Sequence, residues 1–361
     1  MKNRIHKNKI LLLLALGGII AVSLITGCKK ENNNQAQPEI YTQTETDAQP
    51  ESEVNTHASI KRAKFVAVSS KRYGSSARPP VYSFDGINWF VGEIDRERDL
   101  EYVCYGTGKY VAVTDGVVCY SVDGINWEET MSLEKEVISV CYGNGKFVAV
   151  TYHSNLAAYS EDGIKWKETK MSHEADWTNV CYGNDKFVAV GDNSSGGRDK
   201  AAAYSKDGIK WTQTKMSHEA AWTSVCYGNG KFVAIAKAAL IDNDHAAYSE
   251  DGIKWTQTKM PHEANWSNVC YGNGKFVAIA NKSIYSTDVS NKAAYSEDGI
   301  NWKTTILPEE SRWSSGCYGN GKFVAIASES KKGAYSTDGI NWKTIRLPGI
   351  RNWVSICYGG E

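Results

Sequence analysis

The sequence has no excess of either charge: 41 Lys and Arg stand against 41 Asp and Glu. A basic footprint for nucleic acid is therefore missing. No Cys-x-x-Cys or His-x-x-x-His spacing occurs, so nothing in the spacing points to zinc or another metal, and no cofactor is implied. The Gly-Asn-Gly-Lys runs at Gly143 to Lys146 and Gly272 to Lys275 lack the second half of a phosphate loop, because Phe-Val-Ala follows the lysine. No apolar period of 3.6 residues runs through residues 61–361, which excludes a helical architecture. The long apolar run from Ile10 to Ile25 falls short of the about 20 residues that a transmembrane helix needs.

What stands at the N-terminus instead reads as an export signal over residues 1–27. Lys2, Arg4, Lys7 and Lys9 precede the apolar run, and Thr26 and Gly27 follow it before Cys28. The ending Leu24-Ile25-Thr26-Gly27-Cys28 resembles a bacterial lipobox. That resemblance implies a lipid on Cys28 and an address on the outer, extracytoplasmic face of the cell membrane. Residues 28–60 are rich in Asn, Gln, Thr, Glu and Pro. They cannot bury enough apolar surface to offset ordering entropy, and read as a disordered stalk.

Residues 61–361 are a repeat. The phrase Tyr-Ser-x-Asp-Gly-Ile-x-Trp starts at Tyr82, Tyr120, Tyr159, Tyr204, Tyr248, Tyr295 and Tyr335, seven copies in all. Its aspartates, Asp85, Asp123, Asp162, Asp207, Asp251, Asp298 and Asp338, lie 38 to 47 residues apart. A second phrase, Cys-Tyr-Gly, recurs from Cys104 to Cys357. Each unit divides into four short runs of aromatic and β-branched residues. Asn-Gly and Asp-Gly turns separate them. The domain opens on a second strand, Lys64 to Val68, and finishes on a first strand, Trp353 to Gly359. The expectation is an all-β, seven-bladed β-propeller of four-stranded antiparallel blades, closed by the C-terminal strand joining the first blade.

The Ser-x-Asp-Gly-Ile-x-Trp copies resemble the Asp-box, or BNR, repeats of sialidase-like propellers, although they are one residue shorter and lack the Thr of that motif. The resemblance covers the whole domain and implies the same fold. Enzymology does not follow from it. A sialidase needs an arginine cluster gripping a carboxylate, a Tyr-Glu nucleophile pair and an acid. The domain has only Arg62, Arg72, Arg78, Arg96, Arg98, Arg198, Arg312, Arg346 and Arg351, with no Arg-Ile-Pro-like entry motif. Near-identical aspartates suit turn bracing better than acid–base work, which needs two groups in different environments. No catalytic residue is assigned. The seven repeated cysteines and Cys119 read as small buried fillers, and free thiols in an exported protein point to a reducing habitat.

Alternating turns put the Asn-Gly and Asp-Gly hairpins on one face and the loops that differ between copies on the other. Five tryptophans, Trp177, Trp222, Trp266, Trp313 and Trp353, open first strands at that variable face. They are able to stack on a sugar or grip a peptide, or else to cap the layer between blades. The links between blades carry His173, His218 and His262 within Met-Ser/Pro-His-Glu-Ala, and the variable loops carry Arg198, Asp242 and His245. Together these form the candidate binding face. The function expected is a non-catalytic platform for a glycan or a surface protein, as a monomer. A sialidase-like glycoside hydrolase and an assembly factor for a membrane or surface complex are the alternatives.

Overall fold

The computed structural model describes residues 62–70, 78–94, 99–114, 116–133, 136–192, 199–237, 245–281 and 290–360. The signal peptide, Cys28, the stalk, Arg198 and Asp242 lie outside the described residues. The described part belongs to the unit Ala58–Glu361 and, among these residues, is built from strands and turns without a helix. The all-β expectation is met.

The strands form three sheets: two of ten strands and one of five. Expected blade by blade, the sheets instead run together, and four long strands are the reason. Lys167–Gly183, Thr212–Gly228, Lys303–Gly319 and Lys343–Tyr358 are 16 or 17 residues each. Each pairs through its first half with the strand before it; the second half pairs with the strand after it in the first three and with Phe65–Ser70 in Lys343–Tyr358. Lys167 faces Tyr159, for example, while Gly183 faces Lys186. His173 and His218, expected in loops, therefore lie within strands. The pairs Ser154↔Ala175 and Asp199↔Ala220 keep those links extended. His262 lies in a break between Thr256–Lys259 and Asn265–Gly272.

The hairpin chemistry follows from backbone geometry. Asn229 and Gly230 have φ of 45° and 74°, the two left-handed residues that a tight hairpin of this hand requires. Its side chain then reaches the neighbouring repeat: Asn229 Nδ2 donates to Glu297 O at 3.1 Å, as Asn184 Nδ2 does to Glu250 O. Asn-Gly and Asp-Gly turns thus share one face.

The strand segments that end in Cys-Tyr-Gly pack side by side in chain order, and the last of them, in Lys343–Tyr358, packs against Tyr102–Gly106. Lys343–Tyr358 also pairs antiparallel with Phe65–Ser70. The core lies in layers between successive strand sets rather than in one mass. One layer joins Val188, Val190 and Ala202 to Trp222, Val225, Phe232 and Ala234.

The repeated Gly has its own role in this packing. A Cβ on Gly228 would fall 2.0 Å from Cγ of Tyr271, and Gly143, Gly183, Gly272 and Gly319 meet the tyrosine of the next segment in the same way. Cys-Tyr-Gly is a lock in which one segment's ring sits on the preceding segment's bare backbone.

Candidate binding cavity and its rim

The same segments surround a cavity of ≈ 520 Å³. A polar belt in it comes from the position two residues before six of the repeated cysteines, Ser139, Asn179, Ser224, Asn268, Ser315 and Ser355, and Thr178, Thr223, Ser267 and Ser314 join the lining from the residue before. The belt links one segment to the next. Ser139 Oγ accepts from Val180 N at 3.2 Å, Asn179 Oδ1 from Val225 N at 2.9 Å, and Ser224 Oγ from Val269 N at 3.2 Å. Asn268 Oδ1 accepts from Gly316 N at 3.0 Å, and Ser355 Oγ, near the C-terminus, from Val103 N at 3.3 Å. Backbone N–H groups turned toward the cavity are satisfied by this belt rather than left orphaned. A polar residue recurring inside an otherwise apolar strand was the available signal, and the sequence reading passed over it.

Among the described residues the lining contains no carboxylate, guanidinium, ammonium or imidazole, and the titratable side chain there is Tyr102. Burial pushes the Tyr102 phenol well above its ordinary range, with Glu101 and then Glu136 adding to the shift. Asn281, Ser328 and Asn352 join the lining from the ends of their strands. They share the end of the cavity at which the first strands begin.

Charge begins outside this lining. Asp176 and Asp192 face each other across their strand pair and are both buried. His153 Nδ1 sits 2.5 Å from Asp176 Oδ1, and Lys237 Nζ sits 3.1 Å from Asp192 Oδ2. Burial pushes the Asp176 carboxyl up, against the pull of His153, and Asp192 adds to the rise. Among the described residues no group of three or more His, Cys, Asp or Glu has the geometry to hold a metal ion.

The tryptophans expected to offer a stacking surface do not. Trp177, Trp222, Trp266, Trp313 and Trp353 are each 0% exposed. Their indoles fill the layers between strand sets, so no ring face is open to a sugar or a peptide. The repeated histidines cover them: His173 meets Trp177 edge-on at 5.0 Å, His218 meets Trp222 at 5.0 Å, and His262 stacks on Trp266 at 5.1 Å. His245 lies against His218, with ring centroids 4.6 Å apart. Burial and then Lys292 draw the His262 pKa down.

The repeated aspartates are held in their turns. Asp85 Oδ1 accepts from Ile87 N and Asn88 N at 2.8 Å each, and from Ser83 Oγ at 3.0 Å. Partial burial opposes ionisation, but these N–H and O–H donors outweigh it and bring Asp85 down to about 2. Asp123, Asp162, Asp207, Asp251, Asp298 and Asp338 are lowered for the same reason. The eight described cysteines are free thiols. Six are only partly buried as whole residues, yet the surrounding protein raises every repeated thiol, Cys270 to about 12. Nucleophilic thiolate is thus suppressed at neutral pH.

Arg78, Arg312, Arg346 and Arg351 gather around Lys303–Gly319 and Lys343–Tyr358, each engaged by a carboxylate or a backbone carbonyl. Arg312 pairs with Glu329 at 2.5 Å and Arg346 with Glu309 at 2.7 Å. Arg351 donates to Pro79 O and lies 5.1 Å over the Trp353 ring.

No protein-family model matches the chain, and no curated protein sequence matches it. Solved structures are similar in fold. Virginiamycin B lyase from Staphylococcus aureus aligns at 9% identity with a TM-score of 0.57, covering 73% of this chain and 96% of that one. YCF48 bound to D1 peptide aligns at 12% identity and a TM-score of 0.53, covering 74% and 91%. The nidogen/laminin complex contributes a chain at 8% identity and a TM-score of 0.52, covering 70% and 98%. At such identities the likeness carries the fold alone: this is a β-propeller protein. A lyase, a peptide complex and a laminin complex share the fold, so it names no activity by itself.

Proposed function

We propose that the chain is a lipid-anchored, extracytoplasmic propeller that binds a glycan or a surface protein without chemical conversion. In this reading residues 1–27 direct export, Cys28 carries the lipid, and residues 28–60 hold the domain off the membrane. The three sheets are then seven four-stranded blades on one ring. Its closure is supported by the pairing of Lys343–Tyr358 with Phe65–Ser70 and by the hydrogen bond from Val103 N to Ser355 Oγ. The Asp-box likeness is a likeness of turn architecture, in keeping with aspartates bound up by their own backbone.

One observation carries the binding reading: the described residues that line the ≈ 520 Å³ cavity offer hydroxyl, amide and apolar groups, with no acid–base pair among them. Such a lining suits a neutral polar ligand, held by hydrogen bonds at a mouth whose rim groups differ from blade to blade. Hydrolysis of a glycoside needs two carboxyl groups flanking the bond, and the lining offers none. Arg312 and Arg346 are paired with carboxylates of the chain and Arg351 with a backbone carbonyl, which likewise favours binding over a sialidase-like reaction.

The test is a glycan array run beside a surface-protein pull-down with the full chain. Asn281→Arg at the mouth is expected to weaken the captured ligand about tenfold, or 1.4 kcal/mol, with the fold retained. Unchanged affinity would remove the mouth from the account. Release of free sugar from any glycan in the panel would replace binding with catalysis.

A further inference from the structure

Ile306, Ile350 and Tyr152 are exposed singly on other parts of the repeat, but at two positions that recur in every copy the first copies are apolar where the later ones are polar. The side chain that pairs across strands with the repeated Tyr is Glu128, Lys167, Thr212, Thr256, Lys303 or Lys343 in six copies and Phe90 in the first. The polar partner covers its tyrosine: Tyr120 Oη donates to Glu128 Oε2 at 2.6 Å, and Lys303 Nζ lies 5.9 Å over the Tyr295 ring. The residue between Ser and Asp of the turn shows a related departure. It is Glu161, Lys206, Glu250, Glu297 or Thr337 in later copies, but Phe84 and Val122 in the first two.

These departures coincide in space. Tyr82, Phe84 and Phe90 form a mutual ring cluster with centroids 5.5, 5.6 and 6.2 Å apart. Phe90 is 47% exposed, Val91 47% and Val122 43%. An apolar cluster replacing charge at equivalent positions marks a surface that meets something apolar.

The path of the chain indicates what. Ala63 N donates to Asp123 O and Lys64 N donates to Ser83 O, both near 2.8 to 2.9 Å. Two consecutive residues thus bridge the turns that carry Val122 and Phe84, and the chain preceding them departs from between those turns. If Cys28 bears a lipid, the 33 residues from 28 to 60 tether this spot to a bilayer with a root-mean-square reach of about 30 Å. The tether holds the patch at an effective concentration of roughly millimolar order relative to the lipid surface, so a weak apolar contact suffices. Aromatic side chains favour the interfacial region of a bilayer. A second copy of the chain fits less well. The exposed edge strand Trp89–Val91 has three residues, and beyond it Gly92 N and Glu93 N turn inward to Pro80 O and Ile125 O. So short an edge resists strand-to-strand pairing.

We infer that the cluster of Phe84, Phe90, Val91 and Val122 seats the first blade on the surface of a lipid bilayer. The inference rests on the tether reading above. Phe84 and Val122 lie on the face of the shared turns, so seating directs the variable face and its cavity mouth away from the membrane, toward partners.

The experiment uses the full chain, exported and purified, in phosphatidylcholine vesicles containing a diazirine-tailed phosphatidylcholine. After irradiation, lipid adducts are mapped by mass spectrometry. Adducts should concentrate on the peptides holding Phe84 to Val91 and Val122, above those holding Glu161, Glu250 and Glu297. The pair Phe84→Glu and Phe90→Lys copies residues that the other blades already carry, so the fold is kept, and adducts at Val122 should be lost. Adducts spread evenly over the turns, or absent from the patch, would overturn the inference. So would a protein–protein adduct at Phe90 in place of a lipid one, which would assign the patch to a second copy. The mass of the N-terminal peptide reports separately on Cys28. Unmodified Cys28 with adducts retained at the patch removes the tether and keeps the seat, while acylated Cys28 without such adducts does the reverse.

Discussion

Replacing Gly228 by alanine tests the lock between neighbouring segments with a single methyl group. The new Cβ would lie 2.0 Å from Cγ and 2.4 Å from both Cδ atoms of Tyr271, whereas ordinary Cβ contacts do not fall below 3.0 Å. The ring has little freedom to withdraw, because its other side packs on Phe276 with centroids 4.7 Å apart. Overpacking of this kind costs about 1–3 kcal/mol where neighbours can shift, and more where they cannot. We expect a loss of about 3 kcal/mol or more, which is large against typical domain stabilities of about 5–15 kcal/mol. Gly230→Ala supplies the contrast. It has nothing within 4 Å of the added methyl group, and its φ of 74° carries only the left-handed penalty, about 1–2 kcal/mol. The assay is urea unfolding of the full chain followed by tryptophan fluorescence. A double-mutant cycle with Tyr271→Ala gives the sign of the contact: removing the ring should relieve the methyl group, so the two losses should fall short of additivity by about 2 kcal/mol. If Gly228→Ala costs no more than Gly230→Ala, or if the two losses are additive, the lock is not what keeps glycine at this position.

Two further outcomes follow from the same geometry. Trp222→Ala should lower stability by about 3–5 kcal/mol, as expected for a buried aromatic side chain, in the same urea titration; a stable variant that has lost only ligand capture would contradict the buried placement of its indole. Asp85 ionises more readily folded than unfolded, down to about 2 from 3.8. Its bracing is therefore present above the unfolded value and is lost as pH falls from about 4 to about 2. The gap in urea midpoint between the native chain and Asp85→Ala should be constant near neutral pH and narrow across that window, and a gap independent of pH would refute the charge-assisted brace.

Much of the scaffold was legible in one repeat. Asn229-Gly230 and Asp251-Gly252 announced their turns, and the expected opening strand Lys64 to Val68 overlaps the observed Phe65–Ser70. Contacts between copies were harder to read. Nothing inside a single unit says that Tyr271 will rest on Gly228, or that Asn179 will cap the amide of Val225, because the partner lies some 40 residues along the chain. The tryptophans were read as having two possible roles for that reason. Trp222 begins a strand at the rim, but whether its ring meets solvent depends on the strand set beside it. The extended links were missed because their length is set by the neighbouring strand, as Ser154 and Asp199 pair with Ala175 and Ala220. Of the proposed binding face, His245 is described and packs on His218, while the cavity belt emerged only when the seven segments were seen side by side.

In the proposed ring the repeated phrases lock neighbouring segments together and the last strand closes the circle, so removing that strand should undo the fold. Deleting Trp353 to Glu361 takes away the C-terminal partners of Phe65 to Ser69, the Ser355 link to Val103 and the buried Trp353. The remaining chain should lose its cooperative urea transition altogether, whereas a truncated protein that unfolds cooperatively at an unchanged midpoint would contradict the ring.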